Sequence, residues 1–516
     1  MSTETTAPAG PTATTGNTAT TEPPGTTLDP QFFADRMGRI ERCGIEYIPE
    51  DNRKSTPRNL TAILFGSSLA LSVIIIGAFP VTFGLSFWQA ATSVAAGTLL
   101  GAILLAPMGL MGPRTGTNNP VASGAFFGVA GRLIGSLLEA TAALAFAALS
   151  IWTGGDALAG ALVTVFHLDD TTVPRLVAYA VLAVIVTAIS VLGHANMVAA
   201  QRFMIPTAGL CLLLGLFAYG GDFDPSYAGT GEYVFGSATA TWMASFLITT
   251  STISSLGPYA GDWTRHITPR LHSDRAITLA LFLGALCMGI PMLWGTFTAT
   301  AVLGGGAVTA ADPYVLGLVA GAPAWFVPAV LYLGLASGTA QAVINTYGTG
   351  LDTSSIIPRL NRVQATLVAC GVSAALVYVG HFYSAIVAGI SVFLQVLTCF
   401  SLPWIVIVAI GHFYRRGYYD VAALQVFNQR RRGGIYWFTA GFNLRGLLVW
   451  CAAAAVGLLC SSNAWFVGPG AELFGGIDLG FLIAGVLAAV LYPLALIRYP
   501  ESEEVYGDRK PAPTAR

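Results

Sequence analysis

Apolar stretches long enough to cross a lipid bilayer recur twelve times, near residues 60–83, 86–111, 133–165, 174–192, 195–219, 236–256, 276–302, 324–347, 363–380, 384–413, 444–461 and 478–497. About 20 apolar residues in helical form cover the hydrocarbon core. Inside lipid every backbone polar group has to be satisfied within its own segment, and long apolar runs without a two-residue alternation do this as helices. The expected fold is therefore an all-α polytopic membrane protein. Charged residues make up only 10% of the chain, where a soluble domain carries about 25%.

The placement of the few charges sets an orientation. With residue 1 in the cytoplasm, Arg175 is the one member of the 25 lysines and arginines that falls on an outer segment. Outer loops such as "GGDFDPSYAGTGEY" are acidic or neutral. Positive charge gathered on the inner face requires an even number of spans, puts both termini in the cytoplasm and supports the twelve-span partition independently of hydropathy. The expected location is the plasma membrane. Residues 1–30, rich in Thr, Ala, Pro and Gly, read as a disordered tail, and 31–59 as a cytoplasmic segment before the first span. The tail lacks the basic start and apolar stretch of a cleaved signal peptide. Of seven cysteines, Cys43 is cytoplasmic and the others lie in apolar runs, so no disulfide framework is expected.

Spans one to five occupy about 60–220 and spans six to ten about 236–413. A basic loop follows at 414–443, then spans eleven and twelve over 444–497 and a cytoplasmic tail at 498–516. Each half holds an odd number of spans, so the second is inserted upside down relative to the first. Inverted repeats of this kind belong to secondary transporters, whose leading helices are interrupted at mid-membrane. Matching interruptions are present. "LFGSSLALS" puts Gly66, Ser67 and Ser68 inside the first run, and "TTSTISSLGPYAG" puts six hydroxyls ahead of Gly257 and Pro258. Proline lacks a backbone donor and starts helices well, with Ser or Thr as a cap. The sixth span is expected to split near Ser255.

Several chemistries are absent. The only lysines are Lys54 and Lys510, and no GxxxxGK[ST] motif exists, which excludes ATP hydrolysis through a P-loop. The six histidines fall at span ends or in loops and form no HExxH or cysteine–histidine cluster. Neither a metal centre nor an enzyme is expected, nor a nucleic-acid partner.

Few ionisable groups enter the membrane. Glu139 sits about two turns into span three, and Asp156 lies deeper, where an ionisable group costs roughly 2.5–3.5 kcal/mol. Trp152 and Asp156 stand at i and i+4, on one helical face. A flat indole with an acid one turn away suits a planar heterocycle. The ring stacks, at roughly 1–3 kcal/mol per base, while the carboxylate accepts ring N–H or amine protons. Asp156 could equally titrate and couple a proton to transport. The plainer alternative is an interfacial tryptophan above a solvated aspartate. In span eight, Gln341 and Asn345 repeat the i, i+4 spacing with two amides, which either read a base edge or join helices. Ser337 and Thr339, one turn earlier, are spaced to hold a sodium ion together with carbonyls of span one.

These features resemble the nucleobase–cation symporter family, in its purine–cytosine permease branch, over about residues 45–500. The most specific piece is "GPRTGTNNPVASGAFFG" (112–128), similar to the family's GPRTG loop. "ANMVAAQRFMIP", "GDWTRH" (261–266), "INTYGTGL", "HFYRRGYYD" (412–420) and "WFVGPGAELFGGIDLG" follow in order. The resemblance implies a five-plus-five inverted repeat with two extra helices, importing a nucleobase-like ring with H⁺ or Na⁺ and no cofactor. By position it implies that Trp152 stacks, that Ser67 and Ser68 line the span-one contact region, and that Asn345 and Gln341 form the polar pair of span eight. Asp262 and Arg265 fall on a motif read as an i, i+3 ion pair. Two departures stand out. Asp156 occupies a position where members carry an amide, and the stretch Ile253 to Leu256 is aliphatic where members supply a second aromatic, leaving Tyr259 as the nearest ring. Ala340 also replaces one hydroxyl of the expected sodium site.

The combined expectation is an alternating-access importer of a purine, pyrimidine or related heterocycle, coupled to a proton. Trp152, Asp156, Ser67, Ser68, Ser254, Ser255, Gln341 and Asn345 would bind the ring, and Asp156, Ser337 and Thr339 would serve the cation. The alternatives are a sodium-coupled carrier of hydantoin, allantoin, a vitamin or another nitrogenous compound, and a transport-like receptor. The expected partners are a small molecule and the bilayer. Oligomeric state is not readable from the sequence.

Overall fold

The computed structural model describes residues 37–507 apart from 39, 42, 168–171, 305–313, 358, 383–385 and 464. The tail expected at 1–30 lies outside the described residues. Among the described residues every regular element is a helix. Span one comprises Pro57–Ser68 and Leu71–Thr82, span two Phe87–Thr115, span three Leu133–Phe166, span four Thr172–Leu192 and span five His194–Ala218. Span six comprises Ala238–Ser254 and the short Ala260–Thr264, and span seven is Asp274–Gly304. Span eight is Val327–Ile356, span nine Arg362–His381, span ten Ile386–Tyr414, span eleven Leu444–Leu459 and span twelve Gly480–Arg498. Nine of these helices are long and apolar enough to cross a membrane, and the bent pair of span one makes a tenth. Ala238–Ser254 and Leu444–Leu459 are shorter, at 17 and 16 residues, and with them the described helices are consistent with the expected twelve spans.

Packing follows the inverted repeat. Span three packs most heavily on span eight, its own counterpart. Span one packs on spans five and seven, and span six on spans ten and two. Exchanging each span with the one five places later maps these neighbours onto each other. Spans two, eight and ten are the most enclosed, while spans four and nine turn much of their surface outward. The outward faces carry Val, Leu and Phe, as lipid contact requires.

Both leading spans are interrupted. The halves of span one meet at 60°, with Ala70 in an extended conformation at φ −123°. Its carbonyl accepts from Val73 and Ile74 and so starts the second half. Span six ends at Ser254 and passes through turns before resuming at Ala260. Gly257 N–H reaches Ser254 O at 2.8 Å there, and Pro258 prevents the ladder from continuing. The segment between spans two and three buttresses this second break. Asn119 donates to both Gly257 O and Met108 O at 2.8 Å. Gly261 permits the approach, since a Cβ there would lie 2.2 Å from Asn119 N.

Candidate functional site between spans three and eight

The crossing of spans three and eight is made by glycines. A Cβ on Gly154 would lie 2.6 Å from Gly334 O, and one on Gly338 would lie 3.0 Å from Ser150 O. Small residues at a crossing let two backbones approach closely in a membrane, where packing rather than hydrophobic burial drives association. Trp152 and Asp156 flank this crossing and are 8% and 6% exposed. Both therefore face the protein interior, and the interfacial alternative for this pair fails.

Asp156 is supported from span four. Tyr179 Oη donates to its Oδ1 at 2.5 Å, and Gly155 makes room for the ring, because a Cβ there would lie 2.3 Å from Tyr179 Cδ1. Ser150 and Ser72 pair at 2.9 Å and tie span three to the second half of span one.

The hydroxyls divide into two groups. Ser67, Ser68, Ser255 and Thr339 donate to carbonyls three or four residues earlier in their own helices, a common use of hydroxyls in helices. Ser254 Oγ, Gln341 Oε1 and both amide atoms of Asn345 are buried without a hydrogen-bond partner among the described residues. Buried polar groups left unpaired are costly, and a ligand or water that pairs with them relieves the cost. The side chain of Ser337 lies outside the described residues.

These residues do not form one contact set. Ser150 faces Gly338 and Glu139 faces Gly348, so the antiparallel register sets Asn345 roughly 15 Å along the axis from Trp152, at about 1.5 Å per residue. Side chains tilt toward the N-terminus of their own helix. Trp152 therefore leans toward Asn345, and Gln341 and Asn345 lean back toward it, leaving an elongated site between them.

Tyr259 does not replace the absent second aromatic. It is fully buried, donates to Glu139 O at 3.1 Å and stacks near Trp263. That level lies about three and a half turns from Trp152.

Sequence reasoning missed a second polar cluster. Glu139, Asp262 and Asp352 come from spans three, six and eight, and all three are fully buried. A Cβ on Gly348 would lie 3.0 Å from a carboxylate oxygen of both Glu139 and Asp262. Asp352 fell beyond the expected end of span eight at 347, whereas the helix continues to Ile356. The only signal was the four-residue spacing from Gly348 to Asp352. No group of three or more metal-ligating side chains suited to a metal ion occurs among the described residues.

The expected Asp262–Arg265 ion pair is not what forms. Arg265 instead meets Glu41 at 3.4 Å and Tyr347 Oη at 3.1 Å, and donates to Gly44 O. Glu41 belongs to the segment before span one, whose docking place no helical period could indicate. Its other oxygen accepts from His194 N–H at 2.9 Å and lies 3.6 Å from Arg362. Burial pushes the Glu41 carboxyl up, but Arg362 and Arg265 outweigh it and hold the group below its usual range.

Residues 47–483 match the family of permeases for cytosine/purines, uracil, thiamine and allantoin. The chain belongs to this family. Over 475 residues the permease is 23% identical to YxlA of Bacillus subtilis, named as a purine-cytosine permease, covering 88% of this chain and 95% of that one. It is 25% identical over 474 residues to the purine-cytosine permease fcyB of Emericella nidulans, covering 88% and 87%. Among solved structures, its fold is similar to Mhp1, a nucleobase-cation-symport-1 family transporter, in a closed conformation with bromovinylhydantoin bound. The TM-score is 0.68 at 18% identity, over 91% of this chain and 98% of that one. A Na⁺-coupled sialic acid symporter aligns with a TM-score of 0.58 at 10% identity, over 92% and 95%. The permease is thus a multi-pass membrane transporter and not an enzyme. A groove of about 810 Å³ beside spans one, five and seven is lined chiefly by apolar groups such as Phe65, Leu69 and Trp294.

Proposed function

We propose that this permease imports a nucleobase-type planar heterocycle by alternating access, with a proton as the coupling ion, across a plasma membrane with both termini in the cytoplasm. The reading rests on one observation above all. An enclosed indole and carboxylate, Trp152 and Asp156, stand one turn apart at the glycine-lined crossing of spans three and eight. The indole stacks the ring and Asp156 accepts its N–H groups, while the unpaired amide of Asn345, roughly 15 Å further along the axis, and the Ser254 hydroxyl meet it at a separate stage of its passage. Ser67, Ser68 and Ser255, bonded to their own helices, shape the breaks, and Gln341 Oε1 accepts from the ring or from water. The names of the purine-cytosine relatives support the same substrate class.

Proton coupling is favoured over sodium because Asp156 supplies a titratable acid beside the indole, whereas Ala340 contributes no hydroxyl to the span-eight site. The test is uptake in proteoliposomes with a competition panel of bases, hydantoins and vitamins, with and without a sodium gradient and a protonophore. Trp152→Ala should weaken ring binding by roughly 1–3 kcal/mol, about five- to 150-fold. Full-affinity uptake by that variant overturns the binding site. Sodium-dependent uptake indifferent to a protonophore overturns the proton.

A further inference from the structure

We infer that Asp156, Tyr179 and His381 form a proton path from the site to the face of the bundle opposite the arginine-rich one, with His381 as the group that collects the proton. The inference rests on Asp156 being the coupling acid. Tyr179 Oη donates to Asp156 Oδ1 at 2.5 Å and lies 3.3 Å from His381 Nδ1. The Tyr179 and His381 rings meet edge-on, with centroids 5.6 Å apart. The three side chains come from spans three, four and nine and rise in order toward one end. Asp156 is ten residues inside the end of its helix, Tyr179 is seven inside, and His381 is the last residue of its own. Exposure rises at the top of the same path. Tyr179 is fully buried, whereas His381 is partly exposed and the adjacent Phe382 is 72% exposed.

With Asp156 ionised, the single hydroxyl hydrogen of Tyr179 points to its carboxylate, and a lone pair on the tyrosine oxygen is placed to accept from His381 when its Nδ1 carries hydrogen. When the imidazole is protonated, Nδ1–H gives its proton to the Tyr179 oxygen while the tyrosine's own hydrogen passes to the Asp156 carboxylate. One N–H and one O–H bond break, two O–H bonds form, and the tyrosine is never ionised. Among the described residues, the titratable or charged groups around this path are Asp156 on span three, Arg175 on span four one turn before Tyr179, and Tyr378 and His381 on span nine. Tyr378 is spent on Leu176 O at 2.9 Å. Span eight presents Gly334, Leu335 and Gly338 at this level, none of them ionisable.

The path is tested by separating net uptake from exchange in proteoliposomes. Exchange of internal for external substrate needs no net proton movement, so it makes no call on the path. His381→Gln should slow proton-driven net uptake by about tenfold or more, with KM within about twofold and exchange unchanged, and external imidazole should restore part of the lost rate. Tyr179→Phe, which keeps the ring but removes both of its bonds, should slow net uptake more than exchange, without imidazole rescue. Net uptake at the parent rate in either variant overturns the path. An equal loss of exchange and net uptake overturns it as well, because that marks damage to binding. Failure of the underlying reading looks different: Asp156→Asn would then retain proton-driven accumulation with its full pH dependence.

Discussion

At the arginine-rich end of the permease, Glu41 is clamped between Arg265 and Arg362, with Tyr347 Oη and His194 N–H completing its shell. At the opposite end the packing is aromatic. Phe83 packs on Phe79 and Phe235 at 5.4 and 5.5 Å, and Phe223 packs on Phe87 and Phe297 at 4.9 and 4.8 Å. The loop before span six is held there by Val234 N–H to Phe83 O. A charged clamp is directional and close to all-or-none, because breaking one contact leaves a buried charge uncompensated. Aromatic packing falls off gradually and tolerates sliding. For the alternating access proposed above, the two chemistries predict an abrupt opening at one end and a graded one at the other.

The most disruptive way to break this contrast is Glu41→Ala. It leaves two guanidinium groups facing each other under the bundle and should cost about 3–5 kcal/mol. Cys43 provides the readout. Its thiol is buried at 3% exposure and burial pushes its pKa up, so it should be silent while the clamp is closed. In Glu41→Ala, labelling of Cys43 by a maleimide added on the arginine-rich side, located by peptide mass spectrometry, should rise about tenfold or more. Unchanged labelling would mean that the clamp does not hold this end shut.

A milder change probes the other end. Phe235 meets Phe83 edge-on at 80° and is only partly buried. Phe235→Ala should cost about 0.5–1.5 kcal/mol beyond its lost area, seen as a modest fall in the unfolding temperature and faster substrate release toward that side. A loss as large as that of Glu41→Ala would erase the proposed difference between the ends.

The same contrast explains what could be read from the chain in advance. Helix positions follow from apolar length, so Leu133–Phe166 and Arg362–His381 emerge within a residue or two of their expected bounds. The breaks follow from local chemistry, Gly-Pro in one case and a Gly-Ser-Ser run in the other. Trp152 and Asp156 share one helix, so their common face was visible as a spacing. Tyr179 and His381 were not, because each reaches the site from another span and only the fold brings them together. Glu41 was hidden for the same reason: it lies in a segment without periodicity, and its partners stand 224 and 321 residues away. Local spacing also misled. The i, i+3 separation of Asp262 and Arg265 suggested an ion pair, but Arg265 is drawn to the incoming Glu41 instead.

The smallest expected effect is that of pH on the clamp, and it sharpens the comparison by its flatness. Glu41 is held below its usual range, so its contribution to stability is complete above the ordinary glutamate value of about 4.3. It drains away only as pH falls through the lower folded value. The difference in unfolding free energy between the parent and Glu41→Ala should therefore be constant from about pH 8 to pH 5 and shrink only below about pH 4. Comparing the two proteins at each pH cancels the titration of every group they share. A difference that already shrinks between about pH 7 and 5.5 would mean that Glu41 is not the charge that closes this end. A flat profile would then no longer separate the charged closure from the path through Tyr179.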